Sequence, residues 1–94
     1  MTDEAIISML FERSEKGIDE IDKKYGCKCR SIALEIVGGK EDAEECVNDA
    51  YLGVWNAIPP KKPSPLSTFI YRITRNVSLN RWRAQKRQKR ACAY

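Results

Sequence analysis

The feature that most limits the fold is an apolar stripe at helical spacing, closed at both ends by chain breakers. In residues 41–58, EDAEECVNDAYLGVWNAI, the positions Ala43, Val47, Ala50, Val54 and Ile58 share one side of a helix at ~100° per residue. Gly38-Gly39 precedes the run and Pro59-Pro60 follows it, a strong start and a strong stop. The opposite side carries Glu45, Asn48, Asp49 and Asn56, with Leu52 in their midst. The inner stripe is what any surface helix needs; the leucine is not. Two readings of Leu52 stand: a stray exposed apolar residue, which is common, or the centre of a docking face.

The same period recurs on both sides of this stretch. Thr2 or Asp3 can cap a first helix with Ile6, Ile7, Leu10 and Phe11 on one face, and Gly17 is expected to end it. Ile18, Ile21, Tyr25, Cys29, Ile32 and Ile36 form a second stripe, and its helix is expected over about residues 19–37. Gly26 inside it costs ~1 kcal/mol relative to Ala, which suits a close helix crossing. A fourth helix is expected from Pro65 to about Lys89, with Ser64 as its cap and Leu66, Phe69, Ile70, Ile73, Val77 and Ala84 as its core face. Ninety-four residues in this pattern predict one small all-α bundle of three to four helices around a thin core. Its expected parts are an N-terminal helix in residues 1–16, the main domain in 17–90 and a tail in 91–94.

Charge is split along the chain. Residues 1–49 hold 13 acids and 7 Lys/Arg, giving −6; residues 50–94 hold no acid and 10 Lys/Arg, giving +10. Such asymmetry points to a polyanion on the C-terminal half, against the plainer reading of a solvated basic tail. Nucleic acid fits better than an anionic membrane surface. No apolar run approaches the ~20 residues of a membrane span, and the N-terminus lacks the order of a signal peptide, so a cytoplasmic protein is expected.

The chain has no histidine, and its cysteines are Cys27, Cys29, Cys46 and Cys92. That set lacks the ligand number and spacing of a zinc site; reduced thiols, no metal and no cofactor are expected. Neither a Gly-rich phosphate loop nor a Ser/His/Asp set is present, so the chain does not read as an enzyme.

The far side of the fourth helix mixes aromatic and basic residues: Tyr71 and Trp82, with Arg72, Arg75, Ser78, Leu79 and Arg83 between and beside them. Arg and Lys pair with phosphates, and aromatic and guanidinium planes stack on unpaired bases. The alternative is that the first helix covers this side and buries the aromatics. The preceding loop, KKPSP, is stiffened by proline, which lowers the entropy cost of gripping a ligand; it also reads as a plain connector.

DAEECVNDAYLGVW (residues 42–55), a short loop, then LSTFIYRITRNVSLNRWR (residues 66–83) resembles region 2 of bacterial RNA polymerase sigma factors, most of all the small extracytoplasmic-function group. That group runs D-A-E-D-x-x-Q-E-x-F-x-x-x-W, then F-x-x-W-L-Y-R-I-A-R-N-x-x-x-D-x-x-R. Asp42, Ala43, Glu44, Tyr51 and Trp55 fit the first run; Phe69, Ile70, Tyr71, Arg72, Ile73, Arg75 and Asn76 fit the second. The similarity covers residues 17–90. Asn48-Asp49 stands where the group has Gln-Glu, Phe69 where it has Trp, and Asn80 where it has Asp.

The resemblance implies a sigma factor domain that docks on core RNA polymerase, at the clamp helices of the largest subunit, through Glu45, Asn48, Asp49 and Leu52. It implies capture and melting of the −10 promoter element, above all its single-stranded non-template strand. The residues implied are Ser64, Ser67, Thr68, Tyr71, Arg72, Arg75, Asn76, Asn80, Arg83, Lys86 and Arg87. An anti-sigma factor is a further candidate partner. The group's helix-turn-helix domain for the −35 element has no counterpart in these residues, so a fragment of a longer protein is expected. Two other classes remain open: a small helical nucleic-acid-binding module independent of polymerase, and a protein-binding helical bundle.

Overall fold

The computed structural model describes the backbone of residues 2–92 and the side chains of residues 2–86. It contains α1 (Asp3–Phe11), α2 (Lys16–Val37), α3 (Lys40–Ala57) and α4 (Leu66–Cys92), with no strand among the described residues. The long helices α2, α3 and α4 pack on one another, and α1 lies against α2. This is the expected all-α bundle.

Local chemistry sets the boundaries. The Thr2 hydroxyl accepts the Ala5 N–H at 3.2 Å and caps α1, meeting one of the donors a helix start leaves over. α1 does not run to Gly17 as the spacing suggested. It stops at Phe11, and Arg13 turns the chain in a left-handed conformation, φ 58°. The Arg13 N–H donates to Leu10 O and the Ser14 N–H to Met9 O, so backbone hydrogen bonds hold the turn where glycine is absent. Gly17 is instead a buried position in the first turn of α2. At the far end of α2, Gly38 takes φ 78° and donates its N–H to Leu34 O at 2.8 Å, a left-handed stop that glycine adopts without a Cβ clash.

The core is one cluster. The α3 stripe is buried as expected: Ala43, Val47, Ala50, Val54 and Ile58, joined by Cys46 and Tyr51. α2 contributes Ile21, Tyr25, Cys29 and Ala33; Ile18 is only partly buried and packs on the edge. Ile6 and Leu10 of α1 complete it, while Phe11 points outward with the Lys62 ammonium 5.2 Å from its ring centre. Asp3 ties α1 to α2 by accepting from Lys24 Nζ at 2.8 Å and from the Tyr25 hydroxyl. Those hydrogen bonds, that of Lys24 foremost, hold its carboxyl below the usual aspartate range.

The inner face of α4 is turned from the expected one. Leu66, Ile70, Thr74 and Ser78 are the buried positions, whereas Phe69, Ile73 and Val77 are partly buried and Ala84 is exposed. With Leu66 at 0°, the stripe centres near ~60°, not near 0°. Thr74 and Ser78 are polar by type, yet each satisfies its hydroxyl on its own helix: Thr74 Oγ1 donates to Ile70 O at 2.9 Å and Ser78 Oγ to Thr74 O at 2.7 Å. Ser78, expected on the nucleic-acid side, is therefore a core residue.

Candidate functional site

The outer face of α3 is open. Glu45, Asn48, Asp49 and Leu52 are all exposed there, and Leu52 is 58% accessible. Leu52 is not isolated: with Asn48, Tyr51 and Trp55 of α3 and Ile18 and Asp19 of α2 it lines a shallow groove between the two helices. The α2 side of this groove was missed in sequence, because Ile18 belongs to a core stripe and only the fold turns its edge outward. Glu45 differs from its neighbours. Arg81 of α4 donates to its carboxylate and, at 3.1 Å, to Asp42, and Gln85 reaches the other Asp42 oxygen at 2.8 Å. No ion pair among the described residues uses Asp49.

The outer face of α4 presents Thr68, Arg72, Arg75, Asn76, Asn80, Arg83 and Lys86, all exposed. Ser64 is exposed in the loop ahead of it, and Ser67 is half-buried in its first turn. The rotation of α4 explains this selection. With the core near ~60°, the opposite side lies near ~240°, where Arg72 (~240°), Arg83 (~260°) and Asn76 (~280°) fall. Tyr71, at ~140°, is drawn to the flank: it is half-buried, its ring edge-on to Tyr25 at 5.8 Å and 89°. Tyr25 of α2 shields it. Trp82 remains 41% exposed with the Lys86 ammonium 4.9 Å from its ring centre. Arg87 lies outside the residues whose side chains are described. Between α2 and α4, Glu35, Ile36, Tyr71, Arg72, Arg75 and Asn76 are among the residues that line a second open groove.

The described arginines are sorted by partner: Arg13 donates to the Trp55 and Ile58 carbonyls. Arg30 pairs with Asp22 at 2.8 Å and Glu44 at 3.0 Å, and Arg81 pairs with Asp42 and Glu45. Arg72, Arg75 and Arg83 have no carboxylate partner among the described residues. The unpaired guanidiniums thus share one helix face, free to meet external anions.

A polar bridge unnoticed in sequence joins α2 to α3. The Tyr51 hydroxyl donates to Asp22 at 2.7 Å, Arg30 donates to the same carboxylate oxygen, and Arg30 Nε donates to Glu44. Burial, and then the hydrogen bond to Asp22, push the Tyr51 hydroxyl far above the ordinary phenol range. Gly26 lets this bridge form: a Cβ there would come within 2.6 Å of Asp22 Oδ1 and 3.1 Å of Tyr51 Oη. Cys29 and Cys46 are buried, which raises both thiols, and Cys27 is exposed. No cluster of metal-ligating groups occurs among the described residues, and none of their helices is long and apolar enough to cross a membrane.

No curated protein and no solved structure matches the chain. The family model of sigma-70 region 2 does match it, over residues 21–88, from Ile21 in the second turn of α2 to the basic end of α4, and the chain belongs to that family.

Proposed function

We propose that this chain is a region 2 module of the extracytoplasmic-function kind. In this reading it docks on core RNA polymerase through α3, while its proline loop and α4 capture and melt the −10 promoter element. The family assignment supports the coarse part, a role in transcription initiation with polymerase and promoter DNA as partners. The observation that carries the finer part is the sorting of arginines. With 13 acids in the chain, α4 still keeps an acid-free outer face, where Arg72, Arg75 and Arg83 stand exposed and unpaired among the described residues. Phosphates supply the salt-dependent affinity there. The groove beside Tyr71 and the exposed Trp82 offer surfaces for unstacked bases, worth ~1–3 kcal/mol per stacked base. These interactions offset duplex opening without a nucleotide cofactor. On α3, Asn48, Asp49 and Leu52 offer polymerase an amide, a free carboxylate and an apolar surface.

The test is capture of single-stranded DNA from a random-sequence pool by core polymerase, with and without this chain. The reading predicts that the complex enriches strands sharing a motif that core polymerase alone does not enrich. Enrichment by the chain without polymerase would favour an independent nucleic-acid-binding module. Failure of the chain to associate with polymerase or DNA would leave only a protein-binding bundle.

A further inference from the structure

The turn between α1 and α2 lies outside the family match, which begins at Ile21. It nevertheless reaches across the molecule to the far end of α3. Arg13 Nη1 donates to Trp55 O at 2.8 Å and to Ile58 O at 3.0 Å, and its guanidinium lies 3.9 Å from the centre of the Trp55 ring. The two carbonyls belong to different structures. Trp55 is in the last turn of α3, and Ile58 is the first residue beyond it, in extended backbone. One nitrogen therefore bridges the helix to the first peptide of the proline loop. The last turn of α3 contains no basic residue of its own, so the cation that complements its carbonyl end is borrowed from 42 residues upstream.

Other interactions hold the same joint. The Lys61 N–H donates to Ala57 O at 3.1 Å, the Ile58 side chain is fully buried, and Lys62 lies over the Phe11 ring. Arg13 itself is locked by the left-handed turn and the backbone bonds on either side of it. A side chain held by two carbonyls and a ring, on a hydrogen-bonded turn, thus meets the joint from which residues 59–65 depart.

We propose that Arg13 is a positioning residue for strand recognition: it sets the angle at which the loop leaves α3 and so holds Ser64 in register with Ser67 and Thr68 in the first turn of α4. The inference rests on the reading that the loop and α4 grip single-stranded DNA. Arg13 touches no base in this scheme. Its effect is on discrimination between sequences, not on the phosphate affinity that the α4 arginines supply.

The experiment uses the full chain with core polymerase, and two probes: the strand enriched from the random pool by the parent complex, and the unselected pool. Arg13→Ala and Arg13→Lys are compared with the parent. Lysine keeps the charge but loses the planar fork that stacks and bridges. The expected result is a fall of about tenfold in preference for the enriched strand in Arg13→Ala, a smaller fall in Arg13→Lys, unchanged affinity for the unselected pool and unchanged association with polymerase. Amide exchange of Ile58, Lys61, Lys62 and Ser64 should quicken in the same order, with the circular dichroism of the parent. Parent-like preference or parent-like loop exchange in Arg13→Ala overturns the proposal while the functional reading stands. A parent complex that enriches no strand overturns that reading, and the positioning role with it, before any variant is made.

Discussion

Removing the Tyr51 hydroxyl, as in Tyr51→Phe, leaves the ring in the core but takes a donor from Asp22, which then relies on Arg30. A hydrogen bond to a charged acceptor in a half-buried site contributes about 1.5–3 kcal/mol, so Tyr51→Phe should lower the urea midpoint by an equivalent amount at unchanged slope. A midpoint equal to that of the parent would show the bridge to be incidental. Tyr51 was visible in sequence as a motif position, but its partner was not. Asp22 sits 29 residues away among other α2 charges, and nothing in its spacing distinguishes it. Arg81 was equally opaque. In sequence it is one base of a basic run, and only the fold brings it to Asp42 and Glu45.

At the scale of the element, α3 was legible almost residue by residue and α4 was not. Every α3 stripe position is apolar by type and buried in fact. In α4 the inner face uses Thr74 and Ser78, whose hydroxyls bond back to carbonyls four residues earlier. Such residues read as polar until their bonds are seen. The error of ~60° in the helix wheel carried Ser78 to the wrong side and overstated the exposure of Tyr71, yet it left the arginines outside. Arg72 lies at the middle of that outer face and Arg75 toward its edge, both exposed. Replacing both with Ala should lower the salt slope of single-stranded DNA binding by about 1.4, at ~0.7 for each phosphate no longer neutralised. A slope equal to that of the parent would place the phosphates elsewhere. At the N-terminal end of α1 the Thr2 cap is as expected, whereas its C-terminal end is not. Gly17 is a stop signal by type, but the turn is made earlier by Arg13 with a positive φ, which no propensity flags.

At the scale of the molecule, the charge split becomes two faces of one body. The acids of α3 and the bases of α4 are not left to separate: Arg81 and Gln85 clasp Asp42 and Glu45 across the interface, and the core stripes of α2, α3 and α4 close behind them. The faces proposed for polymerase and DNA share a core and can be disabled one at a time, because substitutions at exposed positions leave the core intact. The most direct test measures the association of core polymerase with three purified proteins of parent-like circular dichroism. These are the parent, the double variant Asn48→Ala with Asp49→Arg, and the double variant Arg72→Ala with Arg75→Ala. The parent and the arginine variant should co-elute with polymerase, and the α3 variant should not, with a loss of roughly tenfold or more in affinity, about 1.4 kcal/mol. An α3 variant that binds polymerase as the parent does would contradict the docking role of α3.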